Sequence, residues 1–595
     1  MCGIVGCTGK KNCVPVLMDG LKKLEYRGYD SVGIAVIDST NDLQIIKKQG
    51  RVATLEKYIE GVSGKCGIGH TRWATHGKPS DKNSHPHACG NFAVVHNGII
   101  ENFLELKLEL LSQGEIFNSD TDTEIIAHLI KLNYKGSFIE AVRDTVKMLA
   151  GSYALAVISN KYPDVIIVAK KDNPLIIGKG NGVNYIASDA PALAKYTKDV
   201  YVMSDGDLAM LTPAEIKFYD ENLNETEKEF KELDMVESSL ELGNYESFMM
   251  KEIHEIPTAI ENTLESLDGN VYPPEFIEKM LNAPAVTVVA CGTAYHAGLC
   301  GQYLLEKFNR LTVNIAVASE YRYRNPIIKD GEVIIAVSQS GETADTIAAV
   351  KLAKERGAYV CSITNVAQSS ITTYSDCVIH TKAGPEIAVA ATKSYNCQLI
   401  AFYYMSMLLL KAQGKDVKTF DKTLRSLPSL AESVIDKAKN ICEFAGKFSH
   451  VQDMFFLGRN LDYAVALEGS LKLKEISYIH SEGCPAGELK HGTLALIEKN
   501  TLVIVLITRR ELAEKTMNGI HEVKARGATV LAVTPFEDVA TSDGIDEAIL
   551  IPETDNDFEP ILSVIPLQIF AYYIARARGN DPDKPRNLAK SVTVE

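Results

Sequence analysis

A strand, turn, helix, strand pattern occurs twice in the second half of this sequence. Apolar residues 332–337 lead through a turn into a helical pattern that ends at Gly357, and residues 502–507 lead in the same way to Gly527. The two glycines lie 170 residues apart, and each is followed by a second apolar run. A strand, a crossover helix and a further strand build a parallel sheet. The pattern therefore predicts two small doubly wound domains that arose by duplication.

The first half of the chain has a different pattern. Between residues 2 and 211, short β-type runs alternate with helical patterns, which predicts an α+β domain of packed sheets flanked by helices. Residues 215–241 are rich in Glu and Lys, and we expect a solvated connector there. The predicted fold class is α/β, and the predicted domains are residues 2–240, 241–425 and 426–595.

Charge and hydropathy exclude two classes of function. The 595 residues carry a formal net charge of −15, which argues against a broad surface for nucleic acid or an anionic membrane. The longest apolar run, residues 399–410, is too short to span a bilayer and predicts a core helix. We therefore predict that the protein binds neither nucleic acid nor membranes.

The cysteines indicate a cellular compartment and bear on metal binding. Twelve cysteines without regular spacing, and no signal-peptide pattern, are typical of a cytoplasmic protein with free thiols. His85, His87 and Cys89 have a spacing that a metal ion could use, but no second ligand pair repeats it. We predict that the protein holds no metal and needs no cofactor.

Cys2 can become the first residue of the mature protein, because cysteine is small enough for methionine aminopeptidase to expose it. Its α-amino group, with a reference pKa of about 7.7 to 8.0, would then accept the proton of its own thiol. A cysteine in this position is more often a buried structural residue. The polar segments that follow favour a nucleophile instead.

Two polar segments in the first half could serve such a nucleophile. Residues 70–77 (HTRWATHG) place the only tryptophan among an arginine, two histidines and two threonines, whereas core tryptophans usually have apolar neighbours. Asn97 and Gly98 follow an apolar strand, so an amide and a backbone N–H could form an oxyanion hole beyond the strand end. A tight turn is the alternative there. Asp122 precedes a predicted helix and is also compatible with a simple N-cap acid.

In the first repeat, the strand leads into residues 338–343 (SQSGET), which set three hydroxyls and a glycine at a helix N-terminus. Unpaired N–H groups and the helix dipole favour an anion there. An ordinary N-cap needs one hydroxyl, so we favour a phosphate site over plain capping. The second repeat has residues 508–511 (TRRE) instead, and we expect no phosphate site in it. Thr293, after the preceding strand, opens on the same sheet edge.

Nearly the whole chain resembles the isomerising glutamine:fructose-6-phosphate amidotransferases, the family of glucosamine-6-phosphate synthases. The matching stretches are residues 24–31 (LEYRGYDS), 70–77 (HTRWATHG), 96–102 (HNGIIEN), 338–346 (SQSGETADT), 471–480 (LKLKEISYIH), 486–492 (AGELKHG) and 586–595 (RNLAKSVTVE). The resemblance implies a class II glutaminase domain of the N-terminal nucleophile hydrolase type, followed by two sugar isomerase domains. It also implies a homodimer that converts glutamine and fructose 6-phosphate to glucosamine 6-phosphate and glutamate, the first step of the hexosamine pathway.

The resemblance assigns roles in glutamine hydrolysis. Cys2 would attack the side-chain amide, and Asn97 with Gly98 would hold the oxyanion. The glutamine-binding residues would be Arg72 for the carboxylate, Asp122 for the α-ammonium, Thr75 and His76 around the pocket, and Trp73 as a mobile gate on the ammonia path.

The resemblance also assigns roles in sugar isomerisation. The sugar phosphate would contact Thr293, Ser338, Gln339, Ser340, Thr343, Val389 and Ala589. Lys472 and Glu475 share one face of a predicted helix and would move a proton between C1 and C2, although such a pair is most often a solvated ion pair. His491 would open the ring from the second subunit, and Lys590 would form a Schiff base with the ketose. A lysine near a C-terminus is ordinarily only solubilising.

Two positions depart from the family pattern. Ala294 and Ala391 stand where serine is common, and each loses one hydroxyl near the sugar, so we expect altered affinity rather than another reaction.

Two other classes of protein share part of this pattern. A different amidotransferase would share the first half, but the sequence has no Walker loop for an ATP-dependent partner domain. A non-enzymatic sugar-phosphate sensor would lack the glutaminase segments.

Overall fold

The chain folds into two compact units. A computed structural model describes residues 2–233, 241–269, 272–438 and 441–593. The first unit comprises Met1–Glu241 with Ser591–Glu595, and the second comprises Leu242–Lys590. The predicted third domain, 426–595, is thus divided near its end, because the last five residues group with the first unit.

The first unit contains fifteen strands and five α-helices among its described residues. The strands are β1 (Gly3–Gly9), β2 (Ser31–Ile37), β3 (Leu43–Gln49), β4 (Cys66–Arg72), β5 (His87–Cys89), β6 (Phe92–Ile100), β7 (Gly151–Ser159), β8 (Tyr162–Lys171), β9 (Ile176–Lys179), β10 (Val183–Ala187), β11 (Asp199–Val202), β12 (Leu208–Leu211), β13 (Ile216–Tyr219), β14 (Glu225–Thr226) and β15 (Lys231–Glu232). The helices are α1 (Val14–Lys23), α2 (Val52–Glu56), α3 (Phe103–Ser112), α4 (Glu124–Asn133) and α5 (Phe138–Val146).

These elements form two antiparallel sheets between two layers of helices. The strand orders are β15-β11-β9-β10-β1-β4-β2-β3 and β14-β13-β12-β8-β7-β6-β5. Successive residues of a strand point to opposite faces. Ile4 accordingly joins the core shared by the two sheets, whereas Val5 packs in the core that contains α1. Helices α3, α4 and α5 cover the second sheet. The predicted α+β layer architecture is confirmed.

The prediction of a solvated connector at residues 215–241 is wrong for its first part. Residues 216–232 add β13, β14 and β15 to the two sheets. Phe218 and Phe230 supply the missing apolar contacts by packing around Tyr201, and Lys228 pairs with Asp207 at 2.7 Å. A few well-placed aromatic residues therefore outweigh the charged composition of the segment. Residues 234–240 lie outside the described residues.

The second unit contains ten strands and thirteen α-helices among its described residues. The strands are β16 (Val286–Ala290), β17 (Val313–Val317), β18 (Val333–Val337), β19 (Tyr359–Thr364), β20 (Cys377–His380), β21 (Asp453–Gly458), β22 (His480–Pro485), β23 (Leu502–Leu506), β24 (Thr529–Thr534) and β25 (Glu547–Leu550). The helices are α6 (Phe248–His254), α7 (Ile256–Gly269), α8 (Pro274–Asn282), α9 (Gly292–Leu304), α10 (Ala318–Tyr323), α11 (Ala344–Glu355), α12 (Lys393–Ala412), α13 (Lys418–Lys437), α14 (Ile441–Phe448), α15 (Leu461–Ser477), α16 (Ala513–Lys524), α17 (Glu537–Ala540) and α18 (Glu559–Ala577).

Two parallel five-stranded sheets confirm the predicted duplication. Their strand orders are β17-β16-β18-β19-β20 and β22-β21-β23-β24-β25, so the second sheet repeats the connectivity of the first. In each sheet the first strand pairs with both the second and the third, which is the order 2-1-3-4-5 of a doubly wound fold. This order creates a switch point at the carboxyl ends of β16 and β18, where ligands bind in such sheets.

The helices between the two sheets share one large apolar core. It contains side chains of α7, α9, α12, α13, α15 and α18. The expected boundary at residues 425 and 426 falls inside α13, because the amphipathic pattern of that helix continues to Lys437. The apolar run at residues 399–410 lies in α12 and is largely buried, as expected for a core helix. One described helix, α18, is long and apolar enough to cross a membrane, but 83% of its apolar window is buried inside the protein.

Candidate functional site

Cys2 lies directly ahead of β1 and beside the end of β4. The backbone N–H of Trp73 donates to Cys2 Sγ at 3.3 Å. The backbone carbonyl of Cys2 accepts hydrogen bonds from Arg27 Nε at 3.3 Å and from Asn97 Nδ2 at 3.1 Å. Burial raises the pKa of the Cys2 thiol, whereas the Trp73 hydrogen bond and the charge of Arg72 act in the opposite direction. The thiol is therefore held in place, but it needs a base to become a thiolate.

Arg72 and Asp122 are buried charges close enough to act on Cys2. Arg72 ends β4 and donates through Nη2 to the carbonyls of His76 and Gly77. Its buried Nη1 has no hydrogen-bond partner among the described residues. Asp122 accepts from the backbone N–H of Ile100 at 3.0 Å, and its charge acts on both Arg72 and Cys2. An unpartnered guanidinium nitrogen opposite a buried carboxylate suits a ligand with one charge of each sign.

Asn97 is oriented by two residues that sequence reasoning did not select. His70 Nε2 lies 3.0 Å from the His96 carbonyl and 3.1 Å from Asn97 Oδ1, so this nitrogen must carry the proton and donate. Asn97 Nδ2 therefore faces the Cys2 carbonyl and Ser188 Oγ, the latter at 2.8 Å. Ser188 is more than ninety residues from Asn97, and no local pattern could have identified it.

Several predictions about the polar segments need correction. Strand β6 continues through Asn97 and Gly98 to Ile100, so the pair lies neither beyond the strand end nor in a tight turn. Gly98 adopts φ +132°, and a Cβ there would lie 2.0 Å from the Ser152 carbonyl. Thr75 is exposed, whereas His76 is half-buried and packs edge-on against Phe103. Asp122 precedes α4 but is not its N-cap. Thr123 occupies the N-cap position and makes no side-chain capping bond.

His85 and His87 do not converge with Cys89. His85 stacks on His70 with ring centroids 4.1 Å apart, and His87 Nε2 lies 3.1 Å from Thr121 Oγ1. Burial lowers the pKa of His70 to about 3 and lowers the pKa values of His85 and His87 well below the ordinary value. These three histidines form a neutral stack in the interior of the first unit.

This neutral stack predicts acid sensitivity. In the unfolded chain these histidines become protonated below about pH 6.5. In the folded unit they stay neutral to lower pH, and the pKa of His70 is about 3. Each such histidine therefore lowers the free energy of unfolding by about 1.4 kcal/mol per pH unit as the pH falls below about 6. Denaturant unfolding followed by the fluorescence of Trp73, the only tryptophan, should reveal this slope between pH 7 and 5. His85→Gln should make the slope shallower, and an unchanged slope would contradict the assignment.

In the second unit, the loop after β18 carries the hydroxyls predicted to bind phosphate. Ser338 is buried, its Oγ lies 2.9 Å from Thr343 Oγ1, and it accepts from Gly341 N at 3.0 Å. Gly341 adopts φ +65°, where a Cβ would meet Ser369 Oγ at 2.0 Å. Thr343 is the N-cap of α11 and makes no side-chain capping bond, and its hydroxyl lies next to that of Ser338, so the loop hydroxyls and the start of this helix lie together at the end of β18. Gln339 and Ser340 are half-buried in the same loop.

The corresponding loop of the second repeat already holds an anion. Asp462 accepts from the backbone N–H of Thr508 at 3.0 Å and from its hydroxyl at 2.5 Å. Burial raises the pKa of Asp462 to about 6, although the Thr508 hydrogen bonds act against it. The Arg509 guanidinium also has an internal partner, because it forms an ion pair with the Asp557 carboxylate at 2.9 Å. The end of β23 therefore has internal partners.

Lys472 and Glu475 form a buried ion pair rather than a solvated one. Lys472 on α15 is fully buried, and its Nζ lies 2.6 Å from Glu475 and 3.4 Å from Glu468. It also donates to Thr293 Oγ1 at 3.0 Å, which connects α15 to the start of α9. Burial raises the pKa of Glu475, and Lys472 opposes the shift. A partly exposed carboxyl with a raised pKa beside a fixed cation is suited to carrying a proton.

Lys590 lies in the same charged region. Its side chain is 5% exposed and is paired with Glu386, which also accepts from Ser394 Oγ at 2.7 Å and from the backbone N–H of Thr392. Burial would raise the pKa of Glu386, but the charge and hydrogen bond of Lys590 outweigh it and lower that pKa to about 2. The charge of Lys590 acts on Glu475 as well. The direct partner of Lys590 is thus a carboxylate.

The C-terminal segment is anchored by polar contacts. Asn580 donates to the carbonyls of Ile476 and Ser477, and Asp583 accepts from two N–H groups at the start of α6. Arg586 donates through its backbone to Tyr478, and its guanidinium lies 4.2 Å from that ring. Val592 is 52% exposed, Leu588 is half-buried, and Val594 lies outside the described residues.

Three further predicted residues have distinct positions. The N–H of Val389 donates to the Asp583 carbonyl at 3.0 Å, and half-buried Ala589 precedes Lys590, so both lie next to the anchored segment. His491 ends a short 3₁₀ turn and is exposed. The described residues include no hydrogen bond or ion pair between the His491 side chain and the cluster of Lys472, Glu468 and Glu475.

Comparison with known proteins covers both units. A family model described as a glutamine amidotransferase domain matches residues 70–195, and the SIS domain model matches residues 279–408 and 447–577. Two relatives named glutamine--fructose-6-phosphate aminotransferase [isomerizing] align over all of both chains, with 49% identity in Caldanaerobacter subterraneus and 48% in Clostridium tetani.

A solved structure extends the comparison to the second unit. The C-terminal domain of glucosamine-fructose-6-phosphate aminotransferase from Francisella tularensis covers 58% of this chain and 100% of its own, with 34% identity and a TM-score of 0.56. The two named relatives align over 100% of this chain and 100% of their own sequences. The chain belongs to the family of isomerising glutamine–fructose-6-phosphate aminotransferases.

Proposed function

We propose that this protein transfers the amide nitrogen of glutamine to fructose 6-phosphate and isomerises the product to glucosamine 6-phosphate. The observation that carries the proposal is that one chain combines two sets of groups. A buried thiol lies beside an unpartnered guanidinium and a carboxylate in the first unit. A loop with three hydroxyl side chains at the N-terminus of α11 accompanies a buried lysine–carboxylate cluster in the second.

In glutamine hydrolysis, Cys2 attacks the side-chain amide and its own α-amino group takes the thiol proton. This requires removal of Met1, which lies outside the described residues. Arg72 Nη1 receives the substrate carboxylate and Asp122 receives the α-ammonium. The Asn97 amide and the Gly98 N–H stabilise the oxyanion, and His70 keeps the amide turned toward Cys2. Thr75, His76 and Trp73 form the mobile wall of this pocket.

In isomerisation, the phosphate binds to the hydroxyls of residues 338–343 and to the N-terminus of α11. Lys590 attacks the ketose carbonyl to form an imine, which requires it to leave Glu386 and lose a proton. The carbonyl oxygen leaves as water. Ammonia from the first reaction then attacks the imine carbon and displaces the Lys590 amine, which leaves an imine of ammonia at C2. Glu475 moves a proton from C1 to C2 of this product while Lys472 fixes its position, which turns the C2 imine into an amine and the C1 alcohol into an aldehyde. No cofactor takes part.

One assay tests this function against its rivals. Glutamine and fructose 6-phosphate, without nucleotide or metal, should yield glucosamine 6-phosphate and glutamate in equal amounts. An amidotransferase of another class would require a different acceptor, and a sugar-phosphate sensor would bind the ketose without turnover. Glutamate release that never depends on fructose 6-phosphate, with no amino sugar formed, would contradict the proposal.

We also infer a cytoplasmic homodimer in which His491 opens the sugar ring of the partner's site. The exposure of His491, away from the charged cluster of its own chain, supports this arrangement. Mass measurement by light scattering tests the dimer. Mixing two inactive variants, His491→Asn and Lys590→Arg, should restore part of the activity after subunit exchange, because mixed dimers contain one intact site. No recovery on mixing would place His491 within its own subunit.

Phosphate affinity should reside in the first repeat alone. Ser338→Ala combined with Ser340→Ala removes two donors, worth about 1.5 to 3 kcal/mol each to a charged group, so binding of fructose 6-phosphate should weaken at least tenfold. Thr508→Ala is the matched control, because Asp462 already occupies that loop. Calorimetric titration measures both affinities. A larger loss in the Thr508 variant would reverse the assignment of the phosphate site.

A further inference from the structure

Three metal-ligating side chains converge at the edge of the second sheet, outside the groups used in the proposed reaction. Cys89 ends the edge strand β5, His128 lies in α4, and Glu115 lies in the segment after α3. Their ligand atoms lie within 4.8 Å of one another, and this is the one such group found among the described residues. His128 is buried, whereas Cys89 and Glu115 are half-buried.

The spacing of these atoms is close to that of a tetrahedral zinc site. His128 Nδ1 lies 3.4 Å from Cys89 Sγ and 2.7 Å from Glu115 Oε2, and the sulfur lies 3.9 Å from that oxygen. Zinc bonds of about 2.0 to 2.3 Å at tetrahedral angles place the ligands about 3.4 to 3.6 Å apart. Adjustments of less than 1 Å in the half-buried side chains of Cys89 and Glu115 would therefore complete the triangle, since only His128 is buried.

The neighbours of His128 determine which of its two ring nitrogens faces Cys89 and Glu115. His128 Nε2 faces Glu124 Oε1 at 3.9 Å, and Glu124 is itself held by the N–H groups of Asn118 and Ser119. A carboxylate behind a histidine orients the ring and strengthens the other nitrogen as a ligand. Phe117 packs on the ring with centroids 4.4 Å apart, so Nδ1 is directed at Cys89 and Glu115.

We propose that Cys89, Glu115 and His128 bind a divalent cation of the zinc class, with water at the fourth position. Thiolate, imidazole and carboxylate together suit a borderline-soft ion rather than Mg²⁺ or Ca²⁺. Binding releases the Cys89 proton to solvent, because the thiolate is the ligand. Glu115 uses Oε2 for the metal, since Oε1 is taken by Lys131 at 2.7 Å. The metal connects β5 to α4 and is not consumed in the reaction.

Competition with a chromophoric zinc chelator tests the site on the full-length, untagged protein. The Cys2→Ala background is included, because a thiol beside an α-amino group could itself chelate zinc. We expect one zinc per chain in both backgrounds, and at least tenfold weaker binding in Cys89→Ser and in His128→Gln. Cys442→Ser, which changes an exposed cysteine in the second unit, is the matched control and should bind as the parent does.

Cobalt provides a second readout, recorded in the Cys2→Ala background so that the N-terminal thiol cannot contribute. Co²⁺ at this site should give a thiolate-to-cobalt absorption band, and zinc should abolish it. Loss of all zinc in Cys2→Ala, equal affinity in Cys89→Ser and the parent, or the absence of a thiolate band would each overturn the proposal. Should Cys89→Ser fail to fold by circular dichroism, Glu115→Gln takes its place with the same expected loss.

Discussion

Lys590→Arg should bind fructose 6-phosphate and form no glucosamine 6-phosphate. Arginine keeps the positive charge next to Glu386 but cannot form an imine, so the anchored segment should stay in place while the chemistry stops. Product formation measured by chromatography, together with calorimetric binding of the ketose, separates the two effects. Lys584→Arg alters another lysine of the same segment and should retain activity.

Trapping the imine locates the reacting amine. Borohydride reduction in the presence of fructose 6-phosphate, followed by peptide mapping, should place the adduct on Lys590. Because Lys590 is paired with Glu386, the substrate must separate this pair before the imine forms. A labelled peptide elsewhere in the chain, or full activity of the arginine variant, would remove Lys590 from the mechanism.

Cys2→Ala should abolish glutamine hydrolysis while leaving sugar-phosphate affinity unchanged. Loss of a covalent nucleophile typically lowers turnover by roughly 10³-fold or more, and the sugar-binding groups belong to the other unit. Glutamate release measures the first effect, and calorimetry measures the second. Cys442→Ala, an exposed thiol, should retain hydrolysis.

The mature N-terminus provides an independent check on this mechanism. Intact-mass measurement of active protein should give a chain that begins at Cys2, since only a free α-amino group can take the thiol proton. Active protein that retains Met1 would contradict the assignment, as would glutamine hydrolysis by the alanine variant.

The architecture was largely predictable from periodicity. The second half repeats one strand and helix pattern, and both sheets are parallel, as that pattern predicts. The connector at residues 215–232 was not predictable, because its strands depend on contacts of Phe218 and Phe230 with Tyr201. The predicted boundary at residues 425 and 426 lies inside α13, a helix whose apolar side chains belong to the core shared by both repeats.

The site was predictable where short motifs carry the chemistry and unpredictable where tertiary contacts do. Residues 338–343 and Cys2 lie where their motifs indicated. The direct partners of Asn97 and Lys590, in contrast, are Ser188 and Glu386, which lie 91 and 204 residues away. Spacing on a helix paired Lys472 with Glu475, but it could not reveal that the pair is buried.

The carboxylate of Asp462 suggests how two copies of one domain came to differ. A duplicated binding loop need not be dismantled to lose its ligand, because a side chain from the same copy can take the ligand's place permanently. The tethered group is always present at saturating effective concentration, so a free phosphate cannot compete with it. Under the proposed function, the second copy is thereby released from phosphate binding, and its helix α15 can carry the lysine and glutamate that we propose act on the sugar held by the first. Division of labour between the copies would then rest on one acidic residue together with the changed loop sequence at residues 508–511.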